Sequence, residues 1–534
     1  MRIIGTGHAG LRIETSAGAI LCDPWVNPAY FASWFPFPDN SGLDWDALGR
    51  TEFLFVSHLH RDHCDPALLA RHVDKAATVL LPEFPTDELE RELRSLGFTS
   101  FLRTRADEVV DLGSGVRALV QALTSPTDGP IGDSSLWVED GGVRLFNQND
   151  ARPGDLAAIR ELGHVHAQLL QFSGAIWYPM VYEQGARAKA ALGRQKRDRQ
   201  LDRTVRYIDE LGADWVVPIA GPPCFLDEEL WDLNDIVDDA ANIFPDQSVF
   251  LDHLRSLGRS NGVLLLPGSV VDLTAETCQV DHRHLQPADV FDRKLEHLEA
   301  YAARQRRVIE AAKASWSHPE IDVLDGLRTR LQPLLDEADH IATGIGAPVL
   351  LELLADDDLP LARRGEDVEP VERVVIDFPG RTVRRPVDAD AHAVRYRFRF
   401  ERRLVEQLLA DGAIDWVNSL FLSCRFSAKR TGQYNEFVYT FFKCLSEERL
   451  QYAEGWYDEQ EPDAEDIEID GWVVQRRCPH LKADLARFGH VTGTVLTCDL
   501  HGWRFDLDQG TCITSVGHPI RAHRARGDAE AAAG

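Results

Sequence analysis

The apolar run Phe53-Leu54-Phe55-Val56 predicts a buried strand, and Pro66 to Ala70 opens a helix just after it. A second apolar strand, Val143 to Phe146, ends in the polar residues Asn147 to Asp150. Glu183 to Leu211 reads as a helix carrying Arg187, Lys189, Arg194, Lys196, Arg197, Arg199, Arg203 and Arg206. Ala288 to Ala314 keeps helical periodicity with many charges and no breaker. Arg395 to Phe400 alternates like a half-exposed strand, a helix follows to Leu409, and Trp416–Leu422 and Phe437–Phe442 are apolar and aromatic runs. Glu454 to Asp470 is rich in Asp and Glu and reads as an acidic linker. These patterns predict an α/β chain with a mixed α+β region over 286–450, a linker over 454–470 and a small domain over 471–526.

A chain of 534 residues has room for about three domains. Its net charge of −29 excludes nucleic acid as a partner, because phosphates demand a positive surface. No run of eighteen apolar residues suggests a membrane span, and the first residues read as a strand rather than a leader. Two of the nine Cys sit in the motif described next; the other seven show no small-domain disulfide spacing. Together these features predict a soluble cytoplasmic protein.

Cys478-Pro479-His480, seventeen intervening residues, then Cys498-Asp499-Leu500-His501-Gly502-Trp503 make the clearest chemical signal. Paired Cys and His on two tight loops suit a Rieske [2Fe–2S] cluster, with thiolates on one iron and imidazoles on the other. A structural zinc site is the plainer alternative, but zinc fingers usually group Cys with Cys and His with His. The segment Gly471–Arg521 resembles a Rieske domain of the ferredoxin and oxygenase kind. Respiratory-chain members add a disulfide between the cluster loops; Ala483 and Leu500 hold those positions here, so the resemblance implies the lower-potential type. An external donor is then expected, such as a ferredoxin or a b-type cytochrome with its reductase. Eight Lys and Arg against four Asp between Trp472 and Arg526 predict a docking patch for an acidic donor, with Arg476 and Arg477 in it.

His58, His60, Asp62 and His63 close the strand at Phe53–Val56 and form a second candidate metal cradle. Imidazole suits zinc and iron alike, and carboxylate adds hardness favouring iron or manganese. The stretch is similar to the H-x-H-x-D-H motif of the metallo-β-lactamase superfamily, as are Gly7–Thr15 and Ile20–Trp25 to its opening strands. That resemblance implies an αββα sandwich over roughly 1–275, one metal on His58 and His60, a second on Asp62 and His63, and a bridging carboxylate from Asp150. Two of the family's histidines are missing. Ser125–Pro130 holds none, and the segment Val216–Gly221 ends in Ala220-Gly221. Asp128, His164 and His166 are weaker candidates to fill the gap, the two histidines alternating on an apparent strand. The remaining set approaches the two-His-one-carboxylate iron site of oxygenases.

Both modules on one chain resemble CMP-N-acetylneuraminate hydroxylases, in the opposite domain order. Ser57–His63, the stretch Asn147–Pro153 and Pro218-Ile219-Ala220-Gly221 carry the likeness. It implies a monooxygenase or hydroxylase in which the cluster feeds electrons to iron (mono- or dinuclear) in the N-terminal domain, zinc being less expected there. No catalytic group beyond the metal ligands is predicted. The alternative is a zinc hydrolase with a Rieske redox sensor; a non-catalytic electron carrier is a weaker third. The substrate is expected to be a small molecule, and the basic helix 183–211 either receives its phosphate or is simply a solvated face. Gly174–Tyr182 is either pocket wall or aromatic core. Gly113-Ser114-Gly115 is a turn without a dinucleotide fingerprint.

Overall fold

The computed structural model describes residues 1–125, 130, 132–174, 176–458 and 465–525. The N-terminal part is an αββα sandwich, two sheets packed face to face, as expected from the sequence. Its first sheet has eight strands. Arg2–Gly7, Gly10–Thr15, Gly18–Cys22, Phe53–Phe55, Thr78–Leu81 and Ser100–Arg103 cross it in chain order, and Val270–Leu273 and Cys278–Asp281 return to extend its first edge. Phe53–Phe55 lies parallel between Gly18–Cys22 and Thr78–Leu81, with Ile20 opposite Phe53. Burial on both faces is why this strand is continuously apolar rather than alternating. The second sheet runs in chain order from Val110–Gly113 to Trp215–Ile219. Leu11, Ile13 and Ile20 from one sheet meet Val120, Leu136 and Leu169 from the other in a dry core. Residues 278–281 still pair in the first sheet, so the sandwich extends past 275.

The outer face of the second sheet is covered by the helices Ala186–Leu211 and Gln247–Ser256. Trp472, Val474, Phe488 and Trp503 of the tail join the same apolar cluster. The tail itself is small and all-β, with a three-stranded and a four-stranded sheet. Its core is thus continuous with the sandwich rather than tethered at a distance.

The middle region has a five-stranded sheet, in the order Thr382–Arg384, Glu372–Asp377, Val349–Leu354, Tyr396–Glu401, Ser427–Arg430. Helices Val323–Glu337, Arg402–Ala410 and Glu436–Lys443 cover it. Phe437–Phe442 is therefore helical, and Trp416–Leu422 contains a wide helical turn at Val417–Phe421. The charged stretch expected as one helix divides into Pro287–Phe291 and Lys294–Ser315. The stretch read as an acidic linker is helical through Asp458 and pairs as a strand at Asp466–Ile469; residues 459–464 lie outside the described residues.

Arg425 fixes the middle region to the sandwich. Its buried guanidinium pairs with Asp227 (2.6 Å) and Glu229 (2.9 Å) and donates to the carbonyls of Phe31 (3.0 Å) and Ala32 (3.4 Å). Arg449 repeats the device, reaching Glu88 (2.6 Å) and Asp415 (2.9 Å). Among the described residues no helix is long and apolar enough to cross a membrane.

Candidate metal and cluster sites

Ser57 to His63 leave the buried strand as a tight turn, with the N–H groups of His63 and Cys64 donating to the His60 carbonyl at 2.9 and 2.7 Å. Asp65 then caps the helix Pro66–His72 by accepting from Leu68 N. This geometry turns His58, Asp62 and His63 inward, all buried, and leaves His60 facing a cleft. Asp150 arrives from the end of Val143–Asn149, and its Oδ2 lies 3.4 Å from His63 Nε2. All five residues singled out in the sequence therefore meet.

The fold adds two donors that the sequence reading did not assign. His8 sits in the turn between the first two strands and places Nε2 3.0 Å from Asp62 Oδ2. Its carbonyl accepts from Ala220 N at 3.1 Å, so the late segment that lacks a histidine lies directly behind one supplied by the first turn. Asp133 places Oδ1 3.5 Å from His58 Nε2, just after the segment that lacks the other expected histidine. Three overlapping sets result: His8–Asp62–His63, His58–His63–Asp150 and His58–His60–Asp133. The expectation that ligands would be short on both sides is thereby corrected. The signal was the polar His8 between two apolar strands, but nothing local tied it to residue 62.

Asp23 holds the cradle from behind. Its carboxylate accepts from Ser57 N (2.7 Å), Ser57 Oγ (2.8 Å), His63 Nδ1 (3.0 Å) and the Asn149 amide. Ser57 Oγ also lies 2.8 Å from His58 Nδ1. Both rings are thus fixed through Nδ1 and aim Nε2 into the cradle, an outer-shell arrangement common around metal-binding imidazoles. Tyr30 donates to Asp62 Oδ1 at 2.5 Å from above. His8, Asp23, Tyr30 and Asn149 all take left-handed backbone, with φ of 53°, 41°, 52° and 59°. Each such residue costs about 1–3 kcal/mol and persists only where its surroundings over-determine it.

The electrostatics fit a cation. His8 Nε2, His58 Nε2, His63 Nε2 and Asp150 Oδ1 are buried without a hydrogen bond. Burial, then His63 and His60, hold the His58 imidazolium well below its usual range, and burial does the same at His60. Burial opposes ionisation of Asp62, but His63 and His8 outweigh it and lower its carboxyl. Against its own burial, His63 is pushed up by Asp150 and Asp62. The same two carboxylates would favour a bound cation at this point. Mixed imidazole and carboxylate donors suit iron, manganese or zinc. A cleft of about 1000 Å³, lined by Tyr30, Phe31, His60, Trp316, Asp415 and Arg449 among others, leads to this cradle between the sandwich and the middle region.

The tail pairs also converge. Cys478 and Cys498 are buried and hydrogen-bonded to each other, so one thiol is raised by burial and the other lowered by that bond. The His480 and His501 rings lie 5.0 Å apart, and both Nδ1 atoms are buried without a partner. Burial lowers His480 to about 4, and lowers His501 well below its usual range with help from His480, Arg152, Arg203 and Lys196. Two imidazoles with unpartnered Nδ1 atoms and two adjacent buried thiols fit an iron–sulfur cluster. Trp503 stacks on His480 at 3.8 Å. Glu436, the first residue of a middle-region helix, reaches His480 Nε2 at 3.4 Å and also bonds His518.

Other expectations resolve differently. His164 and His166 precede the strand Ala167–Gln171 rather than lying on it; His164 pairs with Asp214 (2.8 Å) and His166 accepts from Arg144 N (3.0 Å), away from the cradle. Asp128 lies outside the described residues. In the aromatic segment 174–182, Trp177, Val181 and Tyr182 are core against Phe421 and Tyr439. Arg476 is paired with Asp484 (3.0 Å) and Glu465 (2.7 Å), and Arg477 faces Asp155 (3.7 Å), so both already serve internal contacts.

Comparison with known proteins matches two segments of the chain to families. Residues 464–520 match the Rieske [2Fe-2S] domain, and residues 323–459 match a family described as "Rv3818-like, SCP2-like domain". A protein of Mycolicibacterium smegmatis named "Putative Rieske 2Fe-2S iron-sulfur protein" is 51% identical over 532 residues, covering 98% of this chain and 100% of its own. Among solved structures, CmlA, a diiron beta-hydroxylase from Streptomyces venezuelae, matches with TM-score 0.34 and 16% identity, over 50% of this chain and 53% of its own. An isothiocyanate hydrolase from Delia radicum gut bacteria matches with TM-score 0.36 and 12% identity, over 51% of this chain and 100% of its own.

Proposed function

Since the chain belongs to the family of Rieske 2Fe-2S iron-sulfur proteins, we propose that its cluster serves as the electron entry point of an oxygen-dependent oxidoreductase, with iron in the N-terminal cradle. In this reading Cys478, His480, Cys498 and His501 hold the cluster, and His58, His60, Asp62, His63 and Asp150, with His8 and Asp133, hold one or two irons. The cluster would supply single electrons, and iron at the front would supply dioxygen activation for hydroxylation of a small molecule.

One observation carries the proposal: the loop following Asp150 lies against a cluster loop of the same chain. A side-chain carbon on Gly154 would sit 3.4 Å from Ala483 Cα, and Ala483 is three residues from His480. Pro153 is held there by the Tyr207 hydroxyl, which donates to its carbonyl at 2.7 Å. From the other side Arg203 reaches the carbonyl of Leu500, next to His501, at 3.5 Å. The loop after Asp150 and the cluster loops thus touch within one chain, which supports electron transfer between the two sites of a single subunit. Ser57, Asp23 and Tyr30 do the protein's share at the front by orienting donors and excluding water.

The zinc-hydrolase reading keeps one supporting observation. With His8 and Asp133 added, the front cradle has enough donors for two tightly held ions, as metal-assisted hydrolysis needs. The deciding experiment uses anaerobically purified full-length protein, analysed for iron and zinc and reduced chemically. The oxygenase reading expects front-site iron, and reoxidation of the cluster by dioxygen that His63→Ala slows strongly. Zinc alone at the front, with cluster reoxidation indifferent to His63→Ala, would favour the hydrolase.

A further inference from the structure

The contact between the loop after Asp150 and the cluster loops holds an uncompensated positive cluster. Lys196 and Arg203 lie seven residues apart on the helix Ala186–Leu211, hence on one face, and Arg152 meets them from the loop after Asp150. Other cations of that helix are spoken for: Arg197 pairs with Asp235 and Asp238, and Arg206 with Asp499. These three have no carboxylate within ion-pair distance among the described residues. Arg203 is only 7% exposed and makes one long bond, to Leu500 O. Arg152 donates to Gln171 Oε1 at 2.7 Å, while its Nε is buried without a partner. Lys196 makes no hydrogen bond among the described residues.

Such a group is costly: a buried charge left unpaired destabilises a protein by several kcal/mol, roughly, so a counter-ion is expected. Burial, then repulsion from Arg152 and Arg203, lowers the Lys196 ammonium to about 7; burial and Arg152 lower Arg203 to about 9. Arg152 lies two residues past Asp150, and Arg203 reaches the carbonyl of Leu500, next to His501, whose imidazole all three cations disfavour as a cation. Lys196 and Arg152 are each only half-buried, so the cluster opens to solvent on their side. Two guanidinium forks and an ammonium without carboxylate partners are the chemistry that receives a carboxylate or phosphate.

We infer that Arg152, Lys196 and Arg203 form an oxyanion pocket for the carboxylate or phosphate group of the substrate, between the Asp150 side of the front cradle and the His501 side of the cluster. The inference rests on the two-cradle reading and specifies its substrate as an anion. It also gives the basic helix a concrete role that a solvated face lacks.

The test uses the full-length, cluster-loaded, oxidised protein with no turnover. Inorganic phosphate and acetate are titrated separately by calorimetry, and the spectrum of the chemically reduced cluster is recorded with and without each. Expected is saturable one-site binding of one anion, a perturbed cluster spectrum in its presence, and affinity at least tenfold weaker in Lys196→Gln and Arg152→Gln. Arg194→Gln, on the exposed side of the same helix, should bind like the parent. Preference for phosphate or for acetate tells a phosphorylated from a carboxylic substrate. Equal binding in all variants would mean an adventitious ion only and overturn the pocket. Absence of binding, with Lys196→Gln instead shifting the cluster's potential, would overturn it too, assigning the cations to charge balance of the cluster. Neither result touches the dioxygen reoxidation experiment, so the two ideas fail separately.

Discussion

The two cradles solve the same problem by opposite means. At the tail, four donors come from two loops spanning residues 478–501, one following the strand Trp472–Gln475 of the three-stranded sheet and one joining Val495–Cys498 to Trp503–Asp506 of the four-stranded sheet. At the front, donors come from the turn at His8, the segment 58–63, Asp133 and Asp150, and are held by Asp23 and Tyr30. The first is a local device that any small β-domain can carry. The second exists only when two sheets and a roofing loop are assembled, so its metal affinity is tied to the fold of about three hundred residues. A local site tolerates distant damage; a distributed one reports it.

The sharpest way to break the comparison is to remove one donor from each. Cys478→Ser should eliminate the cluster's visible absorption and paramagnetic signal while leaving front-site metal stoichiometric. His63→Ala should reduce front-site metal to traces and leave the cluster spectrum intact. Loss of both sites in either variant would mean the cradles are not independent. The roofing loop gives the next effect. Arg425→Met leaves Asp227 and Glu229 with Lys313 as their remaining cation and frees the carbonyls of Phe31 and Ala32; it should cost about 1–3 kcal/mol in chemical denaturation, with front metal lost before the cluster. Asp23→Asn keeps the shape but weakens the support for His63 and His58, and should lower front-metal affinity roughly 10–100-fold with cluster content unchanged.

The smallest effect concerns pH. Burial opposes ionisation of Asp227, yet Arg425 and Lys313 hold its carboxyl below the usual range. Its folded value lies under its unfolded one of about 3.9, so its contribution is complete above roughly pH 4 and disappears as pH falls through the folded value. Acid titration of Arg425→Met should lack that part of the parent's loss; an identical acid profile would show that the pair adds nothing.

How much of this was legible in the sequence followed the same local-versus-distributed division. Cys478, His480, Cys498 and His501 carry their meaning in spacing alone, and His58 to His63 nearly so, because each motif is built by one turn of chain. Asp150 was reachable as the polar end of an apolar strand. His8, Asp23 and Asp133 were not: each meets its partners only through pairing of strands far apart in sequence. His164 and His166 alternate like strand residues because the true strand Ala167–Gln171 continues from them, and periodicity marks such a boundary poorly. The middle region offered patterns of helix and strand but no chemistry, and its roles as roof and as source of Glu436 emerge only from contacts.

Tyr30, Phe31 and Ala32 follow one another in left-handed conformation, with φ of 52°, 55° and 49°, and Arg425 grips the last two carbonyls almost four hundred residues later. During synthesis the sandwich therefore leaves the ribosome well before its latch is made. Until residue 425 arrives, the cradle of the newborn front half lacks the middle region that later walls the cleft beside it. Loading before latching would make metal insertion a step of biosynthesis rather than of the finished protein's exchange with its surroundings.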